Sequence, residues 1–106
     1  MIQGDIYYYT FKAPDKRRPA LILTRTKLIP KVTAVTVAPI TTTFRDADTH
    51  VALDENDGMS EECVVNLASI QTVSKEKIGS IITHLSSERM KEVKLAIEFT
   101  FGFELI

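Results

Sequence analysis

The 106-residue chain has no tryptophan, one cysteine, two histidines and only four glycines. A single cysteine, Cys63, excludes an internal disulfide framework and a cysteine-built zinc site. Two histidines make a poor supply of metal ligands. The glycines are too few and too scattered for a phosphate-cradling loop. No apolar run approaches the roughly 18 residues of a membrane span, and no secretory pattern is read at the start. These absences predict a protein that works without metal or cofactor, away from membranes, in a reducing, cytoplasmic compartment.

What is present is the composition of an ordinary globular protein, 44% hydrophobic and 25% charged. The length suits one domain, 1–106. A formal net charge of −1 hides a strong asymmetry. Residues 12–31 carry seven lysines and arginines against Asp15 alone, whereas residues 45–62 carry seven acidic side chains against Arg45 alone. The first stretch is an electrostatic footprint for phosphates or an acidic partner. The competing reading is that the two segments lie side by side and neutralise each other.

Most of the chain is strand-like. Ile6 to Phe11 are strong strand formers, and Pro14-Asp15 then signals a turn. Ala20 to Thr24 is a short apolar run, as in a strand buried on both faces. Val32 to Val37 predicts a further strand, with Pro39 marking its end or an edge position. His50 to Leu53, Cys63 to Leu67 and Ile70 to Val73 follow, and Asp54 to Gly58 is the clearest turn. Ile78 to Leu85 reads as strand or short helix. After it, Ser86 or Ser87 caps a helix whose apolar stripe is Met90, Val93, Ile97 and Phe101, with Gly102 as its stop. Lys94 and Glu98 are spaced to pair on its outer face. Six or seven short strands and a terminal helix predict a mainly β fold, a small SH3-like barrel or strongly bent antiparallel sheet.

Two features carry chemistry. Lys16-Arg17-Arg18-Pro19 is a cationic tip at a strand entrance, and Pro39-Ile40-Thr41-Thr42-Thr43 brings three hydroxyls to a strand exit. Guanidinium groups fork onto phosphate oxygens, and hydroxyls and amides complete such a cradle. Cys63, within an apolar strand, reads as an inert packing group. His50 is a candidate general base by residue type, but its strand position favours a hydrogen-bonded structural role. His84, just before the helix, reads as packing or capping. The three tyrosines Tyr7, Tyr8 and Tyr9 alternate in direction, so at least one belongs to the core.

The order of these pieces resembles the MazF/PemK family of toxins. The segments are Gly4-Asp5-Ile6-Tyr7, Arg18-Pro19-Ala20-Leu21-Ile22-Leu23, Val37-Ala38-Pro39-Ile40-Thr41, Thr49 to Leu53, Cys63 to Leu67, Ile70 to Val73 and Ile82-Thr83-His84-Leu85. With the final helix they span nearly the whole chain. The resemblance implies an SH3-like barrel and a homodimer that cuts single-stranded RNA without metal. It also implies a cognate antitoxin, expected to have an acidic, initially disordered tail. By position it implies that Arg18 and Thr41 are catalytic, with Lys16, Arg17, Thr42, Thr43 and Ser69 contacting RNA. Ala68-Ser69 stands where the family often has a polar pair, so the cut sequence is not inherited. The loop from Ala13 to Arg17 is short, which bears on how substrate and antitoxin are covered. Two other readings keep the barrel: a CcdB-like gyrase poison that acts through its terminal helix, and a non-catalytic SH3-like binding module.

Overall fold

A computed structural model describes residues 1–12, 16–43 and 47–106. The turn expected at Pro14-Asp15, most of the short loop from Ala13, and Arg45 and Asp46 of the acidic stretch lie outside the described residues. Seven strands form one curled antiparallel sheet: β1 Asp5–Thr10, β2 Arg17–Ile22, β3 Ala34–Thr41, β4 His50–Leu53, β5 Cys63–Asn66, β6 Gln71–Ser74 and β7 Ile81–His84. Helix α1, Ser87–Phe101, follows. The spatial order is β4-β5-β3-β2-β1-β7, with β6 also on β3. The bent-sheet expectation holds, and the segment open between strand and helix is strand β7.

β3 organises the sheet because two strands share one of its sides. β6 pairs with Ala34 to Val37, and β5 with Ile40 and Thr41. Between them the chain leaves the ladder in a short 3-10 turn, Leu67–Ser69. β3 therefore runs through Pro39, which pairs with Ala20 instead of ending the strand. The amide of Leu23 bonds the carbonyl of Thr36, so even-numbered residues of β3 turn their backbone groups to β2. Pro39, an odd position, turns its missing N–H towards the 67–69 interruption, where no ladder bond is lost.

Strand alternation divides the core in two. Ile6, Leu21, Ala38, Ile40, Val51, Leu53 and Val65 form one cluster, covered by Val93 and Ala96 of α1. Ala20, Ile22, Val35, Val37 and Val73 form the other, with Phe11 and Ile29. Tyr7 and Tyr9 pack on the second cluster, and Tyr9 meets Phe11 edge to face at 4.8 Å.

The helix ends as its sequence predicts. Ser86 Oγ accepts from the Arg89 amide, and Gly102 adopts a left-handed φ of 73° at the stop. The apolar stripe differs in part. Met90, Val93, Ala96 and Ile97 pack on the sheet, while Phe101 is exposed beside Leu95 and Phe99 and stacks on Phe103. Among the described residues the ion pair on this helix joins Arg89 to Glu92, not Lys94 to Glu98. Arg89 also reaches out of the helix, its Nε 2.9 Å from Asp57 Oδ1. That contact ties α1 to the β4–β5 turn, where Asp54 and Asp57 form a reciprocal capping box. No helix among the described residues is long and apolar enough to cross a membrane.

Candidate active site

The β2–β3 ladder pairs Ile22 with Val37, Leu21 with Ala38 and Ala20 with Pro39, and there it stops. The bonding pattern turns the backbone of residue 19 towards β3, and residue 19 is a proline. It has no N–H to give Ile40, and no further β2–β3 rung forms. A cleft of about 230 Å³ lies beside the end of this ladder. Its walls include Tyr8, Pro19, Ile40, Thr41 and Met59.

Arg18 and Thr41 lie just beyond the last β2–β3 rung: the register, continued two residues past Ala20 and Pro39, aligns Arg18 with Thr41, and Thr41 itself pairs with Val64 of β5. Alternation puts both on the face opposite Ile40 and Leu21. Each is half-buried. Thr41 Oγ1 also accepts from the Thr43 amide at 3.2 Å, which fixes the hydroxyl at the start of the turn that follows.

The other expected residues divide. Arg17 lies on the opposite face from Arg18, with its guanidinium carbon 3.8 Å from the centre of the Tyr8 ring. Lys16, Thr42 and Thr43 are exposed around the parting strands. Ser69 sits in the 67–69 turn, where its Oγ accepts from Asn66 Nδ2 at 3.1 Å. Asn66 Oδ1 in turn accepts from the Ala68 amide. His50 is not brought to the pair. β5 separates its strand from β3, and it lines a groove between β4 and α1 with Leu95 and Phe99. Its Nδ1 is buried and has no hydrogen-bond partner among the described residues, so the expected hydrogen-bonded histidine is not found there. His84 instead pairs through Nδ1 with the buried Asp5 carboxylate at 2.9 Å.

The chain matches, over residues 2–101, the family described as PemK-like, MazF-like toxin of type II toxin-antitoxin system. It is 38% identical over 92 residues to endoribonuclease MazF3 of Mycobacterium tuberculosis, covering 87% of this chain and 89% of that protein. The solved structure of the Mycobacterium tuberculosis toxin MazF-mt6 superposes with a TM-score of 0.86 at 37% identity, over 92% of this chain and 96% of that one. A mycobacterial endoribonuclease in complex with its cognate antitoxin shares the fold, with a TM-score of 0.85 at 22% identity over 96% and 95% of the two chains. The chain belongs to the PemK and MazF family of toxins.

Membership sets aside the gyrase-poison and plain binding-module readings. In this toxin, electrostatics around the cleft are uneven. Ion pairs among the described residues include Asp5–His84, Asp57–Arg89 and Glu92–Arg89. Burial pushes the Cys63 thiol up to about 11, and Glu61, Asp57 and Asp54 add to the rise. Cys63 is therefore a protonated packing group, as its strand setting predicts. Among the described residues no cluster of three or more His, Cys, Asp or Glu is disposed to hold a metal ion. Sequence reasoning overlooked the cleft itself. Its walls come from β1, β2, β3 and the segment before β5, and the local signal for it was Pro19 at a strand entrance.

Proposed function

We propose that this toxin is a sequence-specific endoribonuclease that cuts single-stranded RNA by attack of the ribose 2′-hydroxyl on the adjacent phosphate. The products are a 2′,3′-cyclic phosphate and a free 5′-hydroxyl. The activity itself follows from the family and from relatives named as endoribonucleases. One observation supports the choice of residues: the β2–β3 register, continued past its last rung, aligns Arg18 with Thr41 although the two are distant in sequence.

In this scheme the Arg18 guanidinium forks onto the non-bridging oxygens, where charge accumulates as the phosphorus becomes five-coordinate. Thr41 donates its hydroxyl to the same phosphate. Both groups sit on strands, so they meet the transition state without rearranging. Arg18 remains charged throughout and serves as an electrostatic clamp. Lys16, Arg17, Thr42 and Thr43 hold flanking phosphates, and the Asn66–Ser69 turn offers polar groups to bases. The partner is a type II antitoxin with an acidic tail that competes for the cationic 12–31 segment. The working form is a cytoplasmic homodimer.

Incubating the purified protein with a long single-stranded RNA in excess EDTA tests the scheme. The expected fragments accept a 5′-phosphate from polynucleotide kinase without prior phosphatase treatment and carry cyclic 3′ ends. Fragments bearing 5′-phosphates, or cutting that EDTA abolishes, would overturn it.

A further inference from the structure

We propose that the cleft between Pro19 and Ile40 is a subsite for one RNA base carrying an exocyclic amino group, read by the Glu61 carboxylate. The inference rests on the endoribonuclease function and names which part of the substrate enters the opening. At about 230 Å³ the cleft is smaller than the roughly 300–1,000 Å³ of sites for drug-sized ligands. It suits a single ring system. Its inner walls are apolar: Tyr8, Pro19, Ile40 and Met59. Such walls favour a planar base through stacking and burial. The Tyr8 ring is held in place by the Arg17 guanidinium at 3.8 Å, so this wall is set before substrate arrives. Thr41 belongs to both the cleft wall and the proposed phosphate site. A base in the cleft is therefore held at the end of β3 that carries Thr41.

The polar rim decides which base. Ser60 and Glu61 line it. A hydroxyl donates or accepts and tolerates any edge, whereas a carboxylate only accepts. Cytosine, adenine and guanine each offer an amino group to such an acceptor, and carboxylates pair with the cytosine amino group in known readout. Uracil has a carbonyl oxygen where cytosine has its amine, and two carbonyls flank its single N–H. It would bring acceptor against acceptor.

The test is cleavage of a randomised single-stranded RNA pool, with the 5′ ends of the fragments sequenced for the parent, Glu61→Gln and Glu61→Ala. Glutamine adds a donor, and alanine removes the acceptor. The parent should disfavour uracil at one position beside the cut by about tenfold or more. Both variants should admit uracil at that position and keep the parent's preferences elsewhere. Circular dichroism and melting curves confirm that the exposed substitutions leave the fold intact. Unchanged base frequencies at every position would overturn the subsite and leave the endoribonuclease intact. Loss of all cutting by both folded variants would assign Glu61 to the chemistry instead, and overturn base reading. A parent that cuts no RNA would remove both readings.

Discussion

Arg18 and Thr41 contribute different things to the proposed phosphate site, and substitutions separate them. Arg18 supplies charge and a planar fork. Arg18→Ala should lower the cleavage rate by about a hundredfold or more, measured on a single-site RNA under single-turnover conditions. Arg18→Lys should recover only a small part, because a point charge cannot bridge two oxygens. A lysine variant as fast as the parent would mean that charge alone suffices. His50 gives the contrasting expectation. A general base must come within hydrogen-bond reach of its proton, and two strand spacings alone, about 10 Å, separate β4 from β3. His50→Ala should leave the single-turnover rate within about threefold, and its pH–rate profile should keep the parent's shape.

Among elements, the β4–β5 turn and α1 act as one unit. The Asp57 carboxyl accepts from Arg89 Nε at 2.9 Å and from the Asp54 amide at 3.0 Å. Burial raises its pKa, but the hydrogen bonds from Arg89 and Asp54 and the Arg89 charge outweigh burial and leave it below the usual carboxylate value. A carboxyl lowered by folding stabilises the native state above its unfolded pKa near 4, and that stabilisation fades as pH falls through the folded value. Asp57→Asn should cost about 2 kcal/mol at pH 7. Urea titrations of parent and variant should converge as pH falls through the lowered folded-state value. The same turn shows why some elements are legible in sequence. Asp54 to Gly58, Ser86 and Gly102 announce themselves because caps and tight turns depend on a few neighbouring residues. Pro39 misleads for the opposite reason. Its missing donor is harmless only because β5 and β6 break the ladder at that place, and no local window contains that fact. Phe101 continues the helical spacing but stays exposed, stacked on Phe103. Arg18 and Thr41 are proposed through family resemblance, whereas the cleft is assembled from four separate segments and has no linear signature.

For the whole molecule, charge segregation matters more than net charge. The cationic stretch 12–31 and the acidic stretch 45–62 make an overall −1 a poor guide to local charge. RNA binding should weaken with salt, and single strands lose roughly 0.7 in logarithmic slope for each phosphate neutralised. With Lys16 and Arg17 engaged, a slope of about −1.4 is expected in fluorescence anisotropy with Arg18→Ala, which binds without cutting. A slope near zero would remove the phosphate-contact role of this tip.

The proline at position 19 gives the molecule a built-in trade between durability and work. Restoring an amide there with Pro19→Ala would let β2 zipper onto β3 for one more rung, drawing shut the space a nucleotide must enter. The variant should melt higher than the parent yet process RNA more slowly, with the loss appearing mainly in KM. Selection at this residue would then act on leaving a seam unstitched.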